Sequence, residues 1–180
     1  SELTDPGLED AGVIGNFVPH YTALNHAGAE VGLCDFIGKP IVIDVSTAWC
    51  TPCQNFAAWL SGETEEIPRL QNDIDLEDLR PIREMISNGT IIWLTALSEN
   101  LDGGEPTVQT AQDWDDAFPN ENIPVLVDTG AALHRHIGGQ RVPRFATISP
   151  EFTWEGLENA GAKPSGMSLL LHVIETYQEP

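Results

Sequence analysis

The chain has 180 residues, which fits one domain with some elaboration and is enough to bury a core without structural disulfides. It carries 28 acidic against 8 basic residues, for a net charge of −20, and only Lys39 and Lys163 are lysines. Nucleic acid and anionic membranes are disfavoured as partners because both need positive charge at the contact, and no run of eighteen apolar residues offers a membrane span.

Such a charge serves solubility, with steering of a basic partner as its sharper use. Residues 1–12 (SELTDPGLEDAG) are acidic and lack the basic and apolar regions of a signal peptide. They are expected to form a solvated tail or tether, of the kind that follows an export leader removed before Ser1. Asn16 to Asp35 reads as a short hairpin around His26-Ala27-Gly28.

The apolar run Ile41 to Val45 predicts a buried strand, and Gln54 to Leu60 a short apolar helix after Pro52. Between residues 61 and 78, Glu63, Glu65, Glu66, Asp73, Asp75, Glu77 and Asp78 face one arginine, Arg69, which marks a solvated acidic insertion. A helix over Leu76 to Ser87 is stopped by Asn88-Gly89. Strand Thr90 to Leu97 follows, then a helix over Thr107 to Ala117 with Thr107 as cap, then strand Val125 to Val127. A short helix over Ala131 to His136 closes at Gly138-Gly139, strand Phe145 to Ile148 turns back through Ser149-Pro150 toward Trp154, and Met167 to Tyr177 forms the last helix. Strand and helix alternate through the middle of the chain, which predicts an α/β sheet with helices on both faces. No internal repeat is visible.

The chain has three cysteines: Cys34, Cys50 and Cys53. The odd count leaves a thiol over from any static framework, and structural zinc would want a second pair. Pro52 suits the first turn of a helix, where its missing N–H has no partner to lose, so Cys50 is expected at a helix N-terminus. Unpaired N–H groups and the positive dipole end favour a thiolate there, making Cys50 the attacking sulfur. Cys53, one turn later and more buried, is placed to attack a mixed disulfide formed on Cys50. Taken alone, the pair remains open to other uses: half of a metal site, a peroxide-reducing centre or an inert buried pair.

Ile41 to Phe56 (IVIDVSTAWCTPCQNF) resembles the active-site stretch of the thioredoxin-like superfamily, where an apolar strand ends in W-C-x-x-C opening a helix. Residues 13–40, with their hairpin and Gly38-Lys39-Pro40, are similar to the lead-in of the exported redoxin branch. So are Ile123 to Asp128 (IPVLVD), Gly130-Ala131 and Arg141 to Ile148 (RVPRFATI) to its second half. The resemblance implies an α/β thioredoxin-like fold: a central mixed β-sheet with helices on both faces and an N-terminal hairpin extension. Residues 13–180 would form a single domain with the acidic insertion at about 61–78.

By the same resemblance Pro143 matches a cis-proline beside the dithiol, with Val142 offering its backbone to an extended substrate segment. Asp44 matches a buried carboxylate that moves the proton of the second cysteine, and desolvation in an apolar strand is expected to raise its pKa. Trp49 matches a tryptophan shielding the sulfurs, and Thr51 and Pro52 lie at the same contact surface. Arg144 stands where threonine is frequent. It is expected either to favour the Cys50 thiolate or to pair with a surface carboxylate.

The function implied is a thiol-disulfide oxidoreductase acting on protein thiols and disulfides as a reductant. Thr51-Pro52 lacks the histidine of strongly oxidising sites. It would need no cofactor beyond the Cys50-Cys53 disulfide, an upstream electron donor, no metal, and would act as a monomer in a periplasmic or otherwise exported compartment, tethered or free. Two alternatives stand beside it. A thiol peroxidase would use Thr47 three residues before Cys50, but Ile43 occupies the proline position of that pattern and only Arg144 offers the required arginine. A Cu(I) carrier would use Cys50, Cys53 and His134 or His136, but Val142-Pro143 stands where such carriers present their histidine. Cys34 reads as a small buried hydrophobe or an auxiliary thiol. Trp59, Trp93, Trp114 and Trp154 read as core or rim.

Overall fold

The computed structural model describes residues 12–70, 75–138, 141–157 and 166–178. Its centre is β3 (Ile41–Ser46), all six residues of which are buried. A strand covered on both sides needs no polar alternation, which is why Ile41 to Val45 reads as an apolar run broken only by Asp44. It pairs in parallel with β4 (Ile92–Leu97), which pairs in parallel with β5 (Val125–Val127). On its other edge it pairs antiparallel with β6 (Arg144–Ile148), which returns through Ser149 and Pro150 into antiparallel β7 (Trp154–Leu157). The order across this mixed sheet is β5-β4-β3-β6-β7.

Both parallel connections step toward the same edge, and right-handed crossovers then place their helices on one face. The helices are α1 (Thr51–Ser61) and α3 (Val108–Ala117); α2 (Pro81–Ser87) and α5 (Met167–Tyr177) join α1 over the same side. Phe56, Trp59, Trp93 and Phe145 form its aromatic centre, with ring centroids 5.3–6.0 Å apart. The opposite face takes Ile41, Ile43 and Val45, covered by α4 (Ala132–Ile137) and by an antiparallel hairpin of β1 (Thr22–Leu24) and β2 (Glu30–Gly32). Asn25 shapes that hairpin: its Oδ1 accepts from the N–H groups of Ala27 and Ala29, and Gly28 takes φ +75°.

Several boundaries differ from the sequence reading, each for a local reason. The helix expected over Leu76 to Ser87 divides into a 3-10 turn, Leu76–Leu79, and α2, because Pro81 has no N–H to continue the ladder and starts a new helix instead. Helix α1 begins at Thr51 rather than Gln54, since Cys50 itself caps it. Strand β4 begins at Ile92, two residues later than expected, after Gly89 at φ +74°. The hairpin runs into a 3-10 turn at Leu33–Phe36, which carries half-buried Cys34. Within the acidic stretch 61–78, Ile67 is buried in the core of the α1 face and Leu70 and Leu76 pack against that core, while Glu65 meets Arg80 and Arg83 at the surface. The anchor is apolar and the decoration charged. The tail expected over 1–12 lies outside the described residues except for Gly12, whose N–H donates to the His136 carbonyl at 2.8 Å. Residues 71–74 of the insertion and Gly139 also lie outside them.

Candidate active site

The chain leaves β3 at Ser46 and reaches Cys50 by a short descent in which the Cys50 N–H donates to the Thr47 carbonyl at 3.1 Å. Cys50 is the N-cap of α1, with extended backbone (φ −78°, ψ 104°), and its Sγ accepts from the Cys53 N–H at 3.2 Å. A sulfur in the place of a capping oxygen is held against the orphan donors of the first turn. Neither that turn nor the last carries a charged residue to offset the helix dipole.

Cys50 and Cys53 are joined by a disulfide with Cα atoms 5.2 Å apart. Cys50 keeps 3 % of its surface and Cys53 none, while Thr51 and Pro52 between them are exposed. The sulfurs sit among Ala57, Leu97, Ala111, Trp114, Val125 and Val127. Half-buried Val142 packs against this group from the loop that enters β6, and the Val142–Pro143 peptide bond is cis.

Asp44 is 1 % exposed and accepts a hydrogen bond from the Ser46 hydroxyl at 2.9 Å. By the two-residue period of a strand it lies on the same face as Val42, the face of α1 and Cys53. Trp49 is half exposed and its indole N–H donates to Glu99 Oε2 at 2.6 Å. The Glu99 carbonyl accepts from Ala48 N–H, and Ser98 N–H donates to the Ser46 carbonyl, so the segment leaving β4 holds the descent to Cys50 from the side.

Arg144 stands opposite Val45 in the sheet, on the face of α4 rather than that of α1. It is 9 % exposed, and its Nε donates to the Arg141 carbonyl at 3.2 Å. On this same face Asp128 is fully buried and takes three donors: the Tyr21 hydroxyl (3.0 Å) and the N–H groups of Leu133 (2.8 Å) and His134 (2.9 Å). Desolvation raises the Asp128 pKa against these hydrogen bonds, which pull it down. Burial and then its carboxylate partner push the Tyr21 hydroxyl well above its ordinary value. The His134 ring Nδ1 meets Ser98 Oγ at 3.2 Å, and its pKa is lowered first by desolvation, against the opposing pull of Asp128. His136 packs its ring against Trp154, centroids 5.5 Å apart. Among the described residues no three metal-ligating side chains converge on one point.

The structure thus brings Cys50, Cys53, Trp49, Thr51, Pro52, Val142 and Pro143 to one end of the sheet, with Asp44 beneath them on the α1 face. Sequence reasoning missed Ser46, Glu99 and the Asp128 set. Ser46 was findable, since a hydroxyl two residues beyond a strand carboxylate shares its face. Glu99 and Tyr21 reach their partners across 50 and 107 residues, and no local pattern announces such contacts.

The sequence matches no protein-family model and no curated protein. The structure is similar to that of a thiol:disulfide interchange protein from Bacteroides sp. (TM-score 0.61, 15% identity, 93% of this chain and 92% of that one). It is also similar to the exposed lipoprotein thioredoxin of Streptococcus pneumoniae (TM-score 0.57, 19% identity, covering 89% and 99%). A third similar structure is a secreted Mycobacterium tuberculosis disulfide oxidoreductase (TM-score 0.53, 17% identity, covering 85% and 95%). At these identities the likeness is one of fold, and the fold of this chain is thioredoxin-like.

Proposed function

We propose that this thioredoxin-like chain is a thiol-disulfide oxidoreductase that reduces disulfides of protein substrates in an exported compartment. The observation that carries the reading is the Cys50–Cys53 disulfide at the cap of α1, with Cys50 keeping a sliver of exposed surface and Cys53 fully buried behind it. In the dithiol form the Cys50 thiolate, favoured by the helix start, attacks one sulfur of a substrate disulfide and expels the other as a thiolate. Asp44 takes the proton of the Cys53 thiol. The Cys53 thiolate then attacks Cys50 Sγ, closing the 50–53 bond and releasing the second substrate sulfur, so two electrons pass to the substrate. An upstream dithiol donor must return them.

The substrate lies extended across Trp49, Thr51, Pro52 and the Val142 backbone, with Pro143 fixing that loop and Arg144 buttressing it from the α4 side. Export is supported by two of the similar structures, an exposed lipoprotein and a secreted enzyme. No helix among the described residues is long and apolar enough to cross a membrane. The peroxide reading is less favoured, because the Arg144 guanidinium is engaged with the Arg141 carbonyl on the α4 face.

Cys50→Ser is expected to abolish reduction of a protein disulfide such as that of insulin, and Cys53→Ser to accumulate the mixed disulfide. A Cys50→Ser protein turning over at the wild-type rate would refute the reading. Equilibration against a glutathione series fixes the direction, since about 30 mV is tenfold for this two-electron couple.

A further inference from the structure

We propose that the groove beside Cys50 seats a cationic side chain, lysine or arginine, that the protein substrate carries close to its reacting cysteine. The inference rests on the thiol-exchange reading and names the substrate class for it. The groove has a volume of about 470 Å³ and runs between the start of α1, the turn after β4 and the outer side of α3, a size typical of ligand clefts. Ala48 and Gln54, which bracket the dithiol in sequence, form one wall. The cysteines do not line it, so it would take a side chain that neighbours the one reacting at Cys50.

The floor is aromatic: Trp114 is 5 % exposed and meets Phe118 edge to face, centroids 5.0 Å apart. The rim is acidic, with Asp102 and Asp113 lining the groove and no basic residue among its lining. Asp113 accepts from the Gln109 amide at 2.8 Å, a neutral partner that leaves its charge uncompensated. The Asp102 rim is pre-formed, because Asn100 Oδ1 accepts from the N–H groups of Asp102 and Gly104 at 2.9 Å and the Asn100 amide donates to the Glu105 carbonyl. Leu101, 68 % exposed, also lines the groove.

A lysine or arginine matches each part. Its methylene stem lies along apolar surface, its charge meets the carboxylates, and the cation gains from an aromatic face. An acidic side chain would be repelled by the rim and by a chain of net charge −20.

The test compares short disulfide-linked peptides that carry Lys, Leu or Glu beside the cysteine. Wild type is expected to favour the Lys over the Leu peptide by about five- to tenfold in kcat/KM, the scale of two exposed ion pairs. Asp102→Asn/Asp113→Asn should bring that ratio close to one. Glu30→Gln/Glu84→Gln, which removes the same charge at exposed sites outside the groove lining, should keep it. Equal ratios in the two double variants, or a preference for Leu, would overturn the proposal. Hydroxyethyl disulfide, too small to need the groove, reports on the exchange reading separately. If wild type fails to reduce it, binding decides: a Cys-free Lys peptide added to the oxidised protein should shift the Trp114 indole N–H resonance. An unmoved resonance would overturn the groove assignment.

Discussion

The two faces of the sheet solve the problem of holding side chains still by different means. On the α1 face the dithiol is surrounded by packed apolar groups, with Phe56, Trp59, Trp93 and Phe145 behind it. On the α4 face a buried carboxylate, Asp128, gathers a hydroxyl from the N-terminal hairpin and two N–H groups from α4. Packing fixes the sulfurs in position, with Asp44 as the buried carboxylate on that face, so the helix start and this one acid set the local field there. Hydrogen bonds to a buried acid fix position at the cost of desolvating it, which is tolerable away from the chemistry.

The largest effect should come from breaking the apolar side. Phe56→Ala removes the ring that touches three other aromatics and is expected to destabilise the protein by about 3–5 kcal/mol, read by chemical denaturation of the oxidised form. Breaking the polar side should cost less. Tyr21→Phe leaves Asp128 with its two backbone donors and is expected to cost about 1–3 kcal/mol, with the hairpin amides around Thr22 to Gly32 losing hydrogen-exchange protection first.

The smallest and most specific test is of pH. The His134 pKa is depressed in the folded state, so the unfolded chain binds more protons once the pH falls below the ordinary imidazole value of about 6.5. Stability from this group is therefore present above that pH and lost as the pH falls through it. Asp128 runs the other way: its raised folded pKa favours the folded state at low pH and loses that contribution as the pH rises through it. His134→Asn should flatten the decline in Tm between about pH 7 and pH 5. An unchanged slope would show that the ring is not the group that titrates.

Much of this organisation was legible because it is local. The run Ile41 to Val45, the Thr107 cap, the Asn88-Gly89 stop and the Pro52 start each act within a few residues, and the structure places an element at each. Proline chemistry also explains the misplaced element, since Pro81 divides what periodicity alone joins into one helix. The α/β class was legible from the alternation of such elements, and the thioredoxin-like fold from the resemblance carried by residues 41–56 and the stretches on either side of them. Positions at the dithiol were legible where they sit in W-C-x-x-C or, like Asp44, Val142 and Pro143, in a stretch that carries the resemblance, and opaque otherwise: Glu99 belongs to a loop, Tyr21 to the hairpin, and the groove to three separate segments. Distances in space between residues far apart in sequence carry no signature in a single chain.

The dithiol stands at the seam of the sheet, where a parallel half (β3, β4, β5) meets an antiparallel half (β6, β7). Two stretches frame it from opposite chain directions: the turn leaving the carboxyl end of β4 and the loop entering the amino end of β6. Beyond Glu99, which ties the first of them to Ala48 and Trp49, that turn can lengthen, shorten or change charge while the sulfurs stay in place. A scaffold of this kind lets partner choice drift along one border without retuning the reactive pair.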